Sequence, residues 1–136
     1  MMKAKLNALA DRCEREEPSR ELDIAILTWA LGYRDVFGNG SLFDRGNDGY
    51  WTIEGDENNR ALPDPTYSLD AHVRPEGDDV FWRSGHDGSG PDPSMFKAEV
   101  LICREDLTGS YFGFARTEAM ARRAAELRAR AALVTP

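Results

Sequence analysis

The sequence has 136 residues, 41% of them apolar and 30% charged, so it is long enough for one folded domain and too apolar for a disordered chain. Its net charge of −7 at pH 7 argues against general nucleic-acid binding, which depends on many Lys and Arg side chains. No apolar run reaches the ~20 residues of a membrane-spanning helix, and the first residues do not resemble a signal peptide. We therefore predict a cytoplasmic protein with a single domain over residues 1 to 136 and no membrane contact.

Two helices are predicted at the start of the chain. Apolar residues at helical spacing define the core face of the first, namely Leu6, Leu9, Ala10 and Cys13. Ser19 stands where the N-cap of the second helix is expected, and Gly32 is placed to end it. The core face of the second helix is expected to hold Leu22, Ile26, Trp29 and Tyr33.

Residues 38 to 66 lose this periodicity, because glycine and proline interrupt a polar stretch. Within it only residues 50 to 53, "YWTI", have the aromatic and β-branched character of a strand. We predict a long acidic loop with one embedded strand. The run "DRGNDG" at residues 44 to 49 resembles the start of a calcium loop, but glycines occupy its third and twelfth positions, where ligand carboxylates are needed. No calcium site is expected.

Charge is distributed unevenly. Between residues 35 and 64, seven acidic side chains and two arginines leave a charge of −5. Between residues 116 and 130, five arginines and two glutamates leave +3. An acidic loop surface and a basic helix face follow from this distribution.

The remaining elements are a short helix, three strands and a final helix. A capped helix is predicted over residues 68 to 73, before the turn "PEG". Strands are predicted at residues 80 to 82, 96 to 103 and 110 to 115, the last preceded by a tight turn at Thr108 and Gly109.

Thr117 is the expected N-cap of the final helix. The buried face of that helix is expected to hold Met120, Ala124, Leu127 and Ala131. Arg122 and Arg123 fall beside or opposite this face. The order of elements predicts an α+β sandwich, in which an antiparallel sheet of three to four strands packs with N-terminal helices and a C-terminal helix.

Several of these segments resemble a known family. The motifs are "SLDA" at residues 68 to 71, "PEG" at 75 to 77 before a Trp-containing strand, and "ARTEAMA" at 115 to 121, where an Arg- and Ala-rich helix begins. They are similar to motifs of small phage and prophage proteins with a phage α-β-α sandwich domain, and the helix sequence "SRELDIAILTWALG" is similar too. His72 and Arg74 replace the small or apolar residues usual there. The resemblance covers roughly two thirds of the chain. It implies a fold and a phage origin but no activity, because the family has no generally established one.

Catalysis and metal binding find little support. The histidines His72 and His86 and the cysteines Cys13 and Cys103 lack the spacing of a zinc site. Cys103 with His86 is conceivable as a nucleophile and base, but no known motif surrounds either residue, and both cysteines are expected to be buried thiols. The loop "GHDGSG" lacks the Gly-Lys-Ser/Thr end of a P-loop. We expect no catalytic residue, cofactor or metal.

A ligand site is the stronger expectation. An aromatic platform, a guanidinium and a helix N-terminus together suit a nucleotide-like ligand. The residues that would supply them are Trp82, Arg83, His86, Tyr111, Arg116 and Thr117. In the alternative interpretation, Trp82 fills the core while Arg83 and Arg116 are solvated or paired with carboxylates.

The combined prediction is a non-enzymatic phage or prophage accessory protein that acts by binding. The first hypothesis is a host-interaction module that uses the acidic stretch of residues 35 to 64. The second is a sponge that sequesters a nucleotide signal of host antiviral defence, and the third is a small hydrolase. The expected partner is a host protein or a small nucleotide-like ligand, and homo-oligomerisation stays open.

Overall fold

The computed structural model describes residues 2–35, 48–53, 60–61, 63–86, 88 and 90–134. Three helices and six strands lie within these residues. The helices are α1 (Met2–Arg15), α2 (Arg20–Leu31) and α3 (Glu118–Leu133). The strands are β1 (Tyr33–Asp35), β2 (Asp48–Ile53), β3 (Arg60–Ala61), β4 (Val80–Gly85), β5 (Phe96–Cys103) and β6 (Thr108–Ala115).

The two N-terminal helices begin and end as their local sequence predicts. The four apolar residues of the α1 stripe are all buried. The Ser19 hydroxyl accepts the Leu22 N–H at 3.1 Å, which caps the free N-terminal amides of α2. Gly32 ends α2 in the left-handed conformation with φ 75°, which glycine adopts without a steric penalty.

The expected core face of α2 is only partly correct. Leu22 and Ile26 are fully buried, but Trp29 is 41% exposed, and the prediction that it lies in the core is wrong. Its ring lies instead under the Lys5 ammonium, 5.1 Å from the ring centroid. Tyr33 is buried, yet it belongs to β1, because the turn at Gly32 interrupts the helical phase before Tyr33 is reached.

The strands β4, β5 and β6 form an antiparallel meander, here called the main sheet, with β5 in the middle. All three strands were predicted, although β4 extends to Gly85 and β6 begins at Thr108. The prediction of a tight turn at Thr108 and Gly109 is wrong. Arg104 and Leu107 exchange backbone hydrogen bonds at 2.9 and 3.3 Å, so the turn lies before Thr108 and Gly109, which are already paired with β5.

One face of the main sheet, the inner face, is covered by α3, and α1 packs beside α3. Its central strand contributes Ala98, Val100 and Ile102, all at most 2% exposed. Gly113 lets the helix approach closely, since a Cβ at this position would lie 2.2 Å from the Ala121 carbonyl oxygen. The four predicted core residues of α3 are buried, and Thr117 caps the helix. The α+β fold, with an antiparallel sheet packed against helices, is thereby confirmed.

A second, smaller antiparallel sheet has the order β1-β2-β3. Its middle strand contains residues 50 to 53, so the predicted embedded strand is confirmed. The other residues of the predicted loop at 38 to 66 lie largely outside those described, and so do the run at 44 to 49 and most of the acidic stretch.

The helix predicted over residues 68 to 73 is absent, and this segment has neither helix nor strand. The physical reason is Arg123, a residue of α3 with no solvent exposure. Its guanidinium donates to the carbonyl oxygens of Ser68 and Leu69 at 2.7 and 2.8 Å, which binds both carbonyls to α3 instead of to amides of their own segment. It also donates to the Pro65 carbonyl at 2.9 Å. Arg123, which was expected beside or opposite the buried face of the final helix, is itself fully buried.

Two buried carboxylates complete the attachment of this segment. Glu126 receives Arg123 Nη1 at 2.7 Å and the Val73 N–H at 3.1 Å. Asp23 of α2 receives both the N–H and the hydroxyl of Thr66 at 2.7 Å. Residues 63 to 73 are therefore fixed to two helices by groups that burial would make costly to leave unpaired.

Candidate functional site

The predicted ligand residues do not converge. Trp82 and Arg83 are neighbours in β4, so the alternation of a strand sends their side chains to opposite faces of the main sheet. Trp82 lies on the inner side and Arg83 on the other face. Both are exposed, Trp82 at 42%, so Trp82 does not fill the core.

The indole of Trp82 is already occupied by guanidinium groups of the same chain. Those of Arg74 and Arg122 lie 4.9 and 4.5 Å from its ring centroid, within cation–π range. Arg122 also donates to the Ser84 hydroxyl at 2.7 Å and to Glu118 at 2.9 Å. The Ser84 hydroxyl bond and Arg122 hold the pKa of the Glu118 carboxyl below its usual value, against partial burial. Trp82 is thus part of a closed polar cluster at the edge of the sheet.

Arg83 and His86 come closer to the predicted arrangement. The Arg83 guanidinium pairs with Glu99 on β5 at 2.9 Å, although 81% of its side chain is exposed. The His86 ring packs edge-to-face on Phe96 with centroids 3.9 Å apart. Arg83, His86 and Lys97 line a cleft of about 220 Å³ together with Glu99. The cleft is open and carries mixed charge.

Arg116 and Thr117 line a different cleft, which also has Tyr67 and the acidic end of α1 in its wall. Thr117 Oγ1 already accepts the Met120 N–H at 3.2 Å. The nearby carboxylates of Glu14, Glu16 and Glu17 oppose the anion that a helix N-terminus would otherwise attract. The predicted anion site at the start of α3 therefore meets unfavourable electrostatics.

Tyr111 lies on the inner face of β6, opposite Val100, which in turn is opposite Trp82. Val100 is buried under α3, so it separates the two aromatic side chains. The structure thus brings Arg83 and His86 to one cleft and leaves the other predicted ligand residues on separate surfaces.

The described residues contain neither a nucleophile and base pair nor a cluster of metal ligands. Cys103 and His86 belong to opposite ends of the main sheet, about 20 Å apart along the strands, so they form no nucleophile and base pair. Burial raises the pKa of the Cys13 thiol to about 12, which makes it a poor nucleophile. Cys103 is exposed, so the prediction that both cysteines are buried is wrong for it. No group of three or more potential metal ligands occurs in the part of the chain that the structure describes.

The surface that sequence reasoning missed is the face of the main sheet opposite α3, here called the open face. Its side chains include Phe81, Arg83, Lys97, Glu99, Leu101, Ser110, Phe112 and Phe114. Phe81 is 55% exposed and Phe112 is 37% exposed. The alternation of β5, in which Ala98, Val100 and Ile102 are the buried positions, was the signal that could have identified it.

The open face combines aromatic rings with a central ion pair. The Arg83–Glu99 pair lies in one cross-strand row with Phe112, between the row of Phe81 and Leu101 and the row of Lys97 and Phe114. The Lys97 ammonium lies 5.2 Å from the centroid of the Phe112 ring. Exposed aromatic residues beside arginine are typical of protein interfaces.

Among the described helices, none has both the length and the apolar character needed to cross a membrane. Comparison of the chain with protein families, with curated proteins and with solved structures gives no match. The resemblance to phage α-β-α sandwich proteins stays a prediction, and the site geometry is what bears on function.

Proposed function

We propose that this protein is a non-enzymatic binding protein whose open face contacts a partner protein. The observation that carries the proposal is the exposure of Phe81 and Phe112 on a sheet face that none of the described helices covers. An antiparallel sheet with one solvated face ordinarily places polar residues there. Aromatic residues at these positions lose their hydration favourably when a partner covers them.

The partner class follows from the shape and chemistry of the face. Small ligands usually bind in concave pockets of roughly 300–1,000 Å³. The concave part of the open face, beside Phe81, Arg83 and Leu101, has about 300 Å³ and is only at the lower end of that range. Such a surface favours a protein, which can bury the aromatic rings while polar groups contact Arg83 and Glu99. The sequence-based choice, the acidic stretch of residues 35 to 64, lies largely outside the described residues, so the open face carries the proposal.

The resemblance to small phage and prophage proteins supports a bacterial host protein as the partner. In that setting the protein acts as an accessory factor that binds and alters a host component. This part of the proposal rests on the resemblance alone.

The test uses Phe112→Asp with Ser110→Asp as its matched control. Both positions are on the outer side of β6 and both variants add one negative charge, but only the first removes an aromatic ring from the open face. Tagged full-length protein is used to capture proteins from bacterial lysate, and a captured protein is then titrated in purified form by calorimetry. We expect affinity for the partner to fall at least tenfold, about 1.4 kcal/mol, with Phe112→Asp, and to change little with Ser110→Asp. Equal affinity for the two variants, or no protein captured by the unsubstituted chain, would contradict the proposal.

A second candidate function is binding of a small anionic ligand, such as a nucleotide signal, in the cleft of Arg83, His86 and Lys97. The three basic side chains around about 220 Å³ favour it, and Glu99 opposes it. Calorimetry with mono-, di- and cyclic nucleotides tests it. A member that binds more tightly than about 100 μM, about 5.5 kcal/mol, and loses at least tenfold affinity with Arg83→Ala supports this function. Weaker binding by every member rules it out.

A further inference from the structure

The two edges of the main sheet differ in whether side chains bind their outward backbone groups. At the β6 edge, the Phe114 N–H donates to Glu14 Oε2 at 2.9 Å, and the Phe112 carbonyl accepts from Arg128 Nη1 at 2.8 Å. Arg128 and Glu14 also pair with each other at 2.7 Å. Side chains of α1 and α3 thereby occupy the backbone groups that another strand would need, which is one way to protect a sheet edge.

The β4 edge has no such protection in the described part of the chain. The Cys103 N–H donates to the Asp79 carbonyl at 2.9 Å, which fixes the alternation of the ladder. Phe81 and Arg83 therefore direct their backbone groups to β5, and Val80, Trp82 and Ser84 direct theirs outward. Of these outward groups, the Val80 N–H donates to the Gly77 carbonyl at 3.3 Å. The strand's exposed residues, Phe81, Trp82 and Arg83, lie along this unpaired edge.

We propose that β4 pairs antiparallel with β4 of a second copy of this chain, with Phe81 opposite Phe81 of that copy. The proposal concerns the edge of the sheet and does not depend on the partner protein proposed above. In this register Trp82 of one copy faces Val80 of the other, and both have outward backbone groups, as hydrogen-bonded pairing requires. The Trp82 N–H can donate to the Val80 carbonyl directly, whereas the Val80 N–H must exchange its Gly77 acceptor for the Trp82 carbonyl. The two main sheets join into one sheet of six strands.

Charge complementarity selects this register. Arg83 of one copy comes to lie opposite Asp79 of the other. Within one chain, Asp79 pairs with Arg104 at 2.6 Å and Arg83 pairs with Glu99 at 2.9 Å. Dimerisation would thus join the Arg104–Asp79 pair of one copy to the Arg83–Glu99 pair of the other. The resulting row of four side chains alternates in charge, and the two-fold symmetry of the dimer produces it twice.

Other registers lack this match. Placing Trp82 opposite its own copy puts Arg83 against Phe81 and leaves Asp79 facing Gly85. Placing Arg83 opposite its own copy brings two like charges together, which is destabilising for a cross-strand pair. Only the Phe81 register matches aromatic with aromatic, apolar with apolar and acid with base.

The first experiment measures the mass of the full-length chain by sedimentation as concentration rises. We expect the mass to approach twice the 15.2 kDa of one chain, and Phe81→Asp to return it to the single-chain value. Phe112→Asp, on the far strand, should leave the dimer intact while it removes the partner binding proposed above, so the two proposals fail separately. A single-chain mass up to about 1 mM, a limit of about 4.1 kcal/mol, overturns the dimer.

The second experiment tests the register by disulfide formation in a Cys103→Ser background, in which the remaining Cys13 is buried. In a non-hydrogen-bonded pair the Cα atoms are about 4.5 Å apart, within the range that a disulfide spans. Phe81→Cys should therefore give a covalent dimer under mild oxidation. Arg83→Cys is the control, because in this register the two copies of residue 83 are about 14 Å apart. A covalent dimer from Arg83→Cys and none from Phe81→Cys overturns the register.

Discussion

One face and one edge of the main sheet are covered by helices or their side chains, here called the sealed side. The opposite face and the β4 edge form the open side. On the sealed side, α3 covers the inner face, and Glu14 and Arg128 occupy the backbone groups of the β6 edge. On the open side, aromatic rings remain exposed at Phe81 and Phe112, and β4 pairs only with β5 among the described strands, so its other edge is unpaired. The difference teaches that the buried inner positions of the central strand, Ala98, Val100 and Ile102, are small or aliphatic and serve folding, whereas the rings of Phe81 and Phe112 are not needed in the core.

The largest expected effect comes from breaking the sealed side at Arg123. Arg123→Met keeps much of the side-chain volume but removes the cation that pairs with Glu126 and the guanidinium that donates to three backbone carbonyls. Breaking a buried ion pair from one side typically costs about 3–5 kcal/mol. Chemical denaturation measures the change in the free energy of unfolding. Arg83→Met, on the open side, is the control and should cost less than ~1 kcal/mol, and equal costs would contradict the assignment of Arg123 to the interior.

Gly113 gives the next largest effect, because it sets the distance between sheet and helix. Gly113→Ala places a methyl group 2.2 Å from the Ala121 carbonyl oxygen and 2.8 Å from the Ala124 Cβ. The helix must shift, and overpacking of this kind costs about 1–3 kcal/mol. Gly85→Ala is the matched control, since no atom lies within 4 Å of the added Cβ. A thermal midpoint for Gly113→Ala as high as that of Gly85→Ala would show that α3 does not pack this closely.

How much of this could be read from the sequence depends on the range of the interactions involved. Ser19, Gly32 and Thr117 were assigned correctly because capping depends on a few neighbouring residues. The burial of Arg123 was missed because one of its acceptors, the Pro65 carbonyl, lies 58 residues away along the chain. A sequence pattern over a few neighbouring residues cannot identify an acceptor this far away along the chain.

The candidate site shows the same limit in another form. Trp82 and Arg83 were combined because they are adjacent, but strand alternation sends adjacent side chains to opposite faces, a rule that was available from the sequence. Tyr111 was combined with Trp82 because their strands were expected in one sheet. Both do lie on the inner face, but the separation of the two rings by Val100 depends on the register, which the sequence left open.

The pair of Glu14 and Arg128 offers a test of the sealed edge through pH. Partial burial would by itself raise the pKa of the Glu14 carboxyl. Hydrogen bonds from Arg128 and from the Phe114 N–H outweigh burial and lower this pKa. A carboxyl with a folded-state pKa below its unfolded value stabilises the fold above the unfolded pKa, and this contribution is lost as pH falls through the folded-state pKa. Glu14→Gln should cost about 1 kcal/mol at pH 7, given the partial exposure.

The difference in unfolding free energy between Glu14→Gln and the unsubstituted chain should shrink as the pH is lowered below the ordinary pKa of a glutamate side chain, about 4.3. Glu16→Gln serves as the comparison, because Glu16 pairs with Arg12 at the exposed end of α1 and contacts no strand edge. Denaturation curves at a series of pH values measure both. A difference for Glu14→Gln that is constant across the series would mean that its charge does not contribute to the sealed edge.

The smallest expected effect lies on the open side, at Phe81. Phe81→Thr introduces a β-branched residue, which suits a strand, and removes a ring that is 55% exposed. If the open face contributes little to folding, the free energy of unfolding of the isolated chain should change by less than ~0.5 kcal/mol, as for most surface substitutions. The measurement is made at a concentration low enough to keep the chain monomeric, so that loss of pairing between copies does not enter. A cost above about 2 kcal/mol, the range of a buried large side chain, would mean that the ring is covered within the monomer, and the contrast between the two sides of the sheet would no longer hold.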